Sequence, residues 1–213
     1  MTSRLGTARL RDIVELLVGA TILGLGIGLM LNARLGSDGY STFINGIALT
    51  AGVPFVVSNV GVGLVLIAFT AWRGVRLGLG TFLQPLAVGI TVSATRGSLP
   101  APDGLLGRAV ECGVGFFVVA FGVALYLEAS LGPGPAEGPA LAVDPPVPFR
   151  FGYSALQIVQ AAIGWLLGSP AGLGTLATVV FIGPVVDRIR LLLRRRGGAA
   201  ARLRAESPLT EDS

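Results

Sequence analysis

GIGLMLNARLG, residues 26–36, decides the fold of this chain, because a near copy, GVALYLEASLG, occupies residues 122–132. Six of the eleven positions are identical. A second pair of motifs follows, since GLGT occurs at residues 78–81 and again at residues 172–175. Self-similarity at a nearly constant spacing is the signature of a duplicated structural unit. The sequence therefore predicts two tandem repeats, offset by 96 residues at the first motif and by 94 at the second.

The composition predicts that both repeats lie in a lipid bilayer. Mean hydropathy is +0.76 and only 13% of the residues are charged, whereas a soluble domain has about 25%. The chain has 32 glycines, and small residues in a membrane let helix backbones approach closely. The pairs that we expect to form helix-packing surfaces are Gly24 and Gly28, Gly61 and Gly63, and Gly113 and Gly115.

Apolar runs at corresponding places in the two repeats are long enough to cross a hydrocarbon core of ~30 Å. The predicted spans cover residues 14–31, 55–72, 79–95, 105–128, 153–167 and 173–193. A shorter segment follows the first span of each repeat: residues 40–49 would make a helix of only about 18 Å, and prolines interrupt its counterpart after residue 132. We therefore expect an all-α membrane protein with six transmembrane helices and a short half-helix after the first span of each repeat.

The chain is expected to divide at its charged and proline-containing stretches. We predict a cytoplasmic N-terminal segment at 1–12, membrane repeat 1 at 13–96, a loop at 97–104, membrane repeat 2 at 105–193 and a disordered basic tail at 194–213. The basic start and first apolar run could also be a signal peptide. We favour a retained helix, because the counterpart of this run lies in mid-chain.

The arginines predict the orientation of these spans. With six spans, 13 of the 16 arginines flank one side, and Arg34, Arg96 and Arg108 lie on the other. Basic loops stay in the cytoplasm, so we place both termini there, in a bacterial cytoplasmic (inner) membrane. Three spans per repeat would invert the second repeat and bring the half-helices together near the midplane. If both short segments crossed, the repeats would be parallel with eight spans and the same arginine distribution, so only segment length and proline content favour six.

The paired motifs carry a resemblance to a known family. At the two LG loops and the two GLGT helix starts, the chain resembles the YczE/YitT-like family of bacterial membrane proteins, specifically the YczE branch. The matching residues lie at 35–39, 78–81, 131–135, 165–168 and 172–175. The resemblance covers about residues 13–193 and implies two tandem three-helix units, sometimes regarded as transporters. Glu137 stands where an aspartate is common in that family, so no aspartate-specific chemistry is carried over.

Several reactive groups are missing from the sequence. There is no histidine and no lysine, and Cys112 is the single cysteine. The sequence therefore contains no ordinary zinc ligand set, no Ser-His-Asp or Cys-His arrangement and no Schiff-base lysine. It also contains no GxxxxGK[ST] phosphate loop. We expect a protein that is not an enzyme and that needs no cofactor, metal or nucleic acid.

Four neutral amides stand out within the apolar helices. They are Asn59, Gln84, Gln157 and Gln160, and each needs a partner inside the bundle. They could be interhelical hydrogen-bonding groups, which are worth ~0.6 to 2 kcal/mol each, or they could line a substrate pathway between the repeats.

Two acidic residues lie nearest the predicted starts of the half-helices, Asp38 and Glu137. A carboxylate at this position caps the helix and interacts favourably with its positive end. The alternative is that the pair binds a cation or a proton where the two half-helices converge.

These features favour a small-solute or ion transporter with its site between the repeats. The alternative is a non-transporting membrane scaffold or regulator that binds a partner protein through glycine-lined helix faces or through the tail. The expected partners are the lipid bilayer, a second copy or another membrane protein, and anionic lipids. The residues expected to contact those lipids are Arg194, Arg195 and Arg196.

Overall fold

The computed structural model describes residues 10–100 and 102–206, which form eight α-helices and no strand. The all-α prediction is thereby confirmed for the described residues. The helices are α1 (Leu10–Ala33), α2 (Gly39–Ala51), α3 (Phe55–Trp72), α4 (Leu79–Ser98), α5 (Gly104–Glu128), α6 (Gly138–Ala142), α7 (Phe149–Leu166) and α8 (Leu173–Glu206).

Every predicted span coincides with a helix, and every predicted short segment contains a shorter one. After α1 comes α2, with 13 residues, and after α5 comes α6, with five. Prolines account for the short α6, because Pro145 and Pro146 have no amide hydrogen to donate to a continuing helix. Within the described part, α1, α3 and α5 are long and apolar enough to cross a membrane.

The remaining long helices, α4, α7 and α8, have 20, 18 and 34 residues. Among the described residues, these three helices are less apolar than α1, α3 and α5, and their composition alone does not mark them as membrane-spanning. Their polar residues include Gln84, Gln157 and Gln160, which are buried inside the bundle. Because these amides do not face outward, the low hydropathy does not by itself prevent crossing, and six crossings stay a prediction.

Apolar side chains cover the outside of the bundle, and small or polar side chains fill much of its inside. Leu64, Phe117 and Trp165 are each more than half exposed, whereas Thr42 and Asn45 are at most 1% exposed. Water would favour the reverse arrangement, but a hydrocarbon solvent favours this one. The distribution is that of a protein surrounded by lipid.

The centre of the fold is the antiparallel pair α1 and α5. Gly19 of α1 packs against Tyr126 near the end of α5, and Gly26 of α1 packs against Val119, which lies earlier in α5. A Cβ on Gly26 would lie 2.6 Å from the backbone nitrogen of Val119, so only glycine allows this approach. The first long helices of the two halves therefore run in opposite directions.

Hydrogen bonds define two ends of the bundle. At the first end, where α1 finishes, Thr50 near the end of α2 donates to the carbonyl of Leu167 after α7 (3.2 Å). Asn32 near the end of α1 donates to the carbonyl of Pro100 after α4 (3.0 Å). At the second end, Arg73 after α3 donates to the carbonyl of Ala142 in α6 (3.2 Å). The two pairs are joined because Ala48 near the end of α2 and Arg96 near the end of α4 line one hollow, so α1, α2, α4 and α7 all finish at the first end.

Each LG loop docks on the GLGT helix start of the other half. The amide of Gly174 donates to the carbonyl of Leu35 (2.9 Å), and the amide of Gly80 donates to the carbonyl of Leu131 (2.8 Å). The motifs that occur twice in the sequence therefore form contacts between the two halves.

Both LG glycines have a backbone conformation that requires glycine. Gly36 has φ +99° and Gly132 has φ +110°, values that residues with a side chain rarely adopt. A Cβ on Gly36 would lie 2.8 Å from the amide nitrogen of Gly172, and one on Gly132 would lie 2.7 Å from that of Gly78. Conformation and close approach both require glycine here.

The predicted glycine surfaces are correct in part. Gly24 and Gly28 of α1 pack against Thr91 and Thr95 of α4. A Cβ on Gly61 or on Gly113 would meet no other described atom within 4 Å, so these two glycines face outward. Periodicity alone does not tell which side of an apolar helix meets protein and which meets lipid.

The predicted disordered tail is corrected by the structure, because α8 continues to Glu206. After two glycines, residues 199–206 are mostly alanine and arginine, which favour helix. Residues 1–9 and 207–213 lie outside the described residues, as do the side chains of Arg194, Arg195 and Arg196. The lipid contact expected at these arginines stays a prediction.

Candidate ligand site between the two halves

A cavity lies in the middle of the bundle, bordered by residues of both halves. The space open to the centres of water molecules is about 60 Å³, and a single buried water needs ~10–15 Å³. The cavity can therefore hold several waters or a small solute. Its lining includes Leu23 and Ile27 from α1, Val88 from α4, and Val119 and Val123 from α5.

Five of the six residues singled out from the sequence line this one cavity. Gln160 is the exception: it is 5% exposed, lies outside the cavity, and its Oε1 has no hydrogen-bond partner among the described residues. The five cavity residues are Asp38, Asn59, Gln84, Glu137 and Gln157.

Asp38 caps the start of α2. Its Oδ2 accepts a hydrogen bond from the amide of Ser41 (3.0 Å), and its Oδ1 accepts one from the hydroxyl of Ser37 (3.2 Å). A Cβ on the next residue, Gly39, would collide with the carbonyl oxygen of Gln157. Because Gln157 lies in the middle of α7, α2 begins deep in the bundle.

Glu137 stands at the corresponding position before α6 but makes no side-chain capping hydrogen bond. The capping expected for this residue is therefore wrong. Its Oε1 instead accepts a hydrogen bond from the hydroxyl of Tyr126 (2.5 Å). Its Oε2 is buried without a hydrogen-bond partner in the described part of the chain. A helix of five residues offers little positive potential to attract the carboxylate, and the nearby phenol supplies a donor.

The amides fall into two groups. Both polar atoms of the Gln157 side chain have hydrogen-bond partners. Its Oε1 accepts from the amide of Tyr40 (2.9 Å) and its Nε2 donates to the hydroxyl of Tyr153 (2.8 Å). Asn59 is half engaged: its Nδ2 donates to the carbonyl of Pro85 (2.6 Å), and its Oδ1 has no partner within the described ranges. Gln157 thus holds α2 against α7, whereas Asn59 leaves an acceptor unused.

The tyrosines are functional-site residues that were not predicted from the sequence. The chain has three, and all of them lie at this site: Tyr40 and Tyr153 line the cavity, and Tyr126 donates to Glu137. Tyr40 is 7% exposed, and its hydroxyl has no partner among the residues described. The available signal was their rarity together with their positions, since Tyr126 lies inside the second copy of the repeated motif and Tyr40 follows the first.

The charges are segregated within the described structure. The cavity lining contains two carboxyl groups and no arginine. The described arginines with charged or amide partners lie toward the ends of the bundle, where Arg96 donates to Asn45 (2.6 Å) and Arg190 pairs with Glu128 (2.8 Å). No group of three or more His, Cys, Asp or Glu residues that could hold a metal ion occurs in the described ranges.

Comparisons with known proteins place the sequence in a family. A model described as a family of unknown function, DUF6198, matches residues 10–190. An uncharacterised protein of Haemophilus influenzae is 32% identical over 185 residues, which cover 86% of this chain and 85% of the relative. The uncharacterised membrane protein YczE of Bacillus subtilis is 22% identical over 176 residues, or 79% of this chain and 80% of YczE.

A further relative is the uncharacterised protein YyaS of Bacillus subtilis, which is 23% identical over 194 residues, or 84% of this chain and 96% of YyaS. No solved structure matches the chain. The resemblance to the YczE branch that the paired motifs carry is confirmed by these relatives.

Proposed function

This chain belongs to the DUF6198 family and is a YczE-like membrane protein, and we propose that it transports a small solute or ion across the bacterial cytoplasmic membrane. The observation that carries the proposal is the central cavity, where the start of α2 and the segment before α6 meet. Half-helices that converge on a midplane site between repeats are typical of secondary transporters. The sequence offers no P-loop, so an ion or substrate gradient, or a partner, would supply the energy.

The proposed architecture has six crossings in two inverted repeats. The antiparallel α1 and α5 and the exchanged LG and GLGT contacts support it. Support for a half-helix comes from α2, which begins beside Gln157 at the cavity and finishes at the first end, where α1 also finishes. A segment that begins at mid-depth and returns to the same end does not cross.

The proposed orientation puts the first end outside the cell. Arg96 and Arg108 both bind groups at this end, Arg96 through Asn45 and Arg108 through the carbonyls of Ala33 and Arg34. Thirteen of the 16 arginines flank the other end in the six-span arrangement, and that end would face the cytoplasm.

Cysteine accessibility in intact cells tests this topology. In a Cys112→Ser background, single cysteines replace Arg34 and Ala51, which are exposed and lie before and after α2. An impermeant thiol reagent added outside should label both positions. A third variant, Gly74→Cys, lies in the exposed turn after α3 and should be labelled only after the membrane is opened. Labelling of position 34 but not position 51 from outside would mean that α2 crosses.

Transport is tested with purified protein in liposomes and a panel of labelled solutes and ions. Gln84→Leu and Gln160→Leu are the same change at buried residues with 7% and 5% exposure, but only Gln84 lines the cavity. We expect flux to fall about tenfold in Gln84→Leu, the equivalent of one lost hydrogen bond to the solute, and to stay within about twofold in Gln160→Leu.

Two results would contradict the proposal. One is equal loss of flux in both variants, which would point to a general effect on the fold. The other is a panel in which no compound shows flux and none raises the melting temperature. The scaffold alternative would then gain support if removal of residues 197–213 abolished co-purification of a membrane partner.

A further inference from the structure

We propose that the central cavity binds a small organic ammonium ion, with Glu137 and Asp38 as its counter-charges and Tyr40 and Tyr153 as its aromatic surround. This inference names the substrate class of the site described above and so rests on the proposed function.

Unused hydrogen-bond acceptors are the first argument. The Oε2 of Glu137 and the Oδ1 of Asn59 are buried and form no hydrogen bond of good geometry within the described structure. Apart from the Tyr126 hydroxyl, the donors near the Glu137 carboxyl group are the backbone groups of Gly134 and Glu137 itself. The orientation of the Asn59 amide is set by its other atom, because Nδ2 already donates to Pro85. Buried acceptors without donors are costly, so the matching ligand is one that supplies donors. An ammonium group has donors and no acceptor.

The arrangement of these acceptors adds geometry to the argument. A Cβ placed on Gly134 would lie 2.7 Å from the Oε2 of Glu137 and 3.3 Å from the Oε1 of Gln84. The two oxygens therefore lie beside Gly134 and within about 6 Å of each other. A donor group that lies between two oxygens at this separation can reach both of them.

The charge of the cavity is the second argument. Two carboxyl groups line it, and no arginine of the described part does. Asp38 already accepts two local hydrogen bonds, but neither of them brings a positive charge. A carboxylate in a membrane interior needs a proton or a cation. A cationic ligand satisfies this need, whereas an anion would be repelled.

Aromatic and apolar surfaces distinguish an organic cation from a metal ion. Tyrosine faces attract cations, especially alkylated ammonium ions that are poorly hydrated, and Tyr40 and Tyr153 line the cavity. Leu23, Ile27 and Val88 offer contact to alkyl groups. Ca²⁺ and Mg²⁺ require six or more oxygen ligands, and this lining has few oxygens that are free. The cavity has room for the centres of several water molecules, which suits a cation of a few heavy atoms.

The test measures binding to the purified full-length protein in detergent. The probes are the chlorides of methylammonium, dimethylammonium and tetramethylammonium, compared with sodium chloride at equal ionic strength and with neutral tert-butanol of similar size. We expect at least one alkylammonium to raise the melting temperature and to give a saturable calorimetric signal, and neither control to do so.

Variants locate the binding. Asp38→Asn keeps an oxygen that can cap α2 but removes the charge, and Glu137→Gln removes the charge opposite Tyr126. Each should weaken alkylammonium binding about tenfold or more, because a charge-assisted contact becomes a neutral one. Glu111→Gln is the matched control: Glu111 accepts from Asn32 (2.9 Å), has a buried Oε2 without a described partner, and lies outside the cavity. The alkylammonium affinity of Glu111→Gln should stay within about twofold of that of the unchanged protein.

The outcomes separate this inference from the transport proposal. Native-like alkylammonium affinity in folded Asp38→Asn and Glu137→Gln would overturn the inference, as would a full thermal shift from sodium alone. Flux of a neutral solute with no response to any alkylammonium would also overturn it and would leave transport standing. Alkylammonium binding that both variants abolish, in liposomes that show no flux of any probe, would support the site and contradict transport.

Discussion

The two short segments of this molecule occupy equivalent places, and they differ. Helix α2 has 13 residues, an aspartate cap at Asp38 and a left-handed C-cap at Gly52. Helix α6 has five residues, and Glu137 before it makes no side-chain cap. The carboxylate of Asp38 is engaged by its own helix, whereas that of Glu137 turns to Tyr126 and keeps one oxygen without a partner in the described part of the chain.

The backbone contacts between the two halves are more alike, although Thr81 accepts from the amide of Gly78 and the equivalent Thr175 hydroxyl has no partner among the described residues. Both LG loops dock on the GLGT start of the other half through one backbone hydrogen bond of nearly equal length. Even the backbone conformation agrees, because Arg34 and Ser130, two residues before each loop glycine, both have positive φ. The halves are more alike where they hold each other than where they border the cavity, which indicates that the cavity is where they have specialised.

The largest expected effect tests the likeness of the two loops. Gly36→Ala and Gly132→Ala should each cost more than about 3 kcal/mol, because strained backbone and a backbone collision add together. The measurement is thermal or denaturant unfolding in detergent. Gly74→Ala is the control, with φ +82° but nothing within 4 Å among the described atoms, and should cost about 1 kcal/mol. Unequal losses at 36 and 132 would break the equivalence of the loops.

A smaller effect is expected from the contact that distinguishes Glu137. Tyr126→Phe removes the donor to the buried Oε1 and should cost about 1–3 kcal/mol, since the carboxyl group loses its partner. The cost should shrink when the same change is made in Glu137→Gln, and a double-mutant cycle measures that coupling. Equal costs in both backgrounds would show that the phenol acts on stability independently of Glu137.

The cap of α2 should contribute less. Asp38→Ala is expected to destabilise the protein by about 1 kcal/mol, and Asp38→Asn by only a few tenths, because asparagine also caps helices. Equilibrium unfolding in detergent compares the two variants. If Asn cost as much as Ala, the charge of Asp38, rather than the cap, would be what stabilises the fold.

The smallest effect is expected at the outward-facing glycines of the two halves. Gly61→Ala and Gly113→Ala should not lower stability, because a methyl group there meets no described atom within 4 Å and alanine favours a helix interior over glycine by about 0.5–1 kcal/mol. Cross-linking and unfolding of both variants provide the readout. A large loss at either position would reveal a protein partner on that helix face.

Much of this fold can be predicted from the sequence. The span at residues 55–72 coincides with α3 residue for residue, because Pro54 sets its start and Arg73 follows its end. The amides at 59, 84 and 157 are recognisable as inward-facing, since a membrane helix does not expose them to lipid. The extension of α8 to Glu206 is not predicted, because the charge of the tail suggests disorder while the helix propensity of its alanines and leucines favours helix.

Tyr126 shows why part of the site cannot be recognised from the sequence. In the sequence Tyr126 is one aromatic residue inside an apolar run, and its partner, Glu137, follows 11 residues later, beyond a turn. Gln160 shows the same limit from the other side: it lies three residues from Gln157 on α7, yet only Gln157 reaches the cavity. Helical spacing predicts that two residues share a face of the helix. It does not predict which part of that face borders the cavity.

The sequence by itself determined the membrane class, the positions of the long helices, the two short segments and the importance of the LG and GLGT motifs. These properties follow from hydropathy, from proline and glycine geometry and from motifs that occur twice, all of which act over a few residues or recur along the chain. Only the tertiary structure decided that Asp38 caps while Glu137 does not, and that Tyr40 and Tyr153 line the cavity while Tyr126 binds Glu137. Those outcomes depend on which surfaces the antiparallel α1 and α5 bring together, and such packing is a property of the whole bundle.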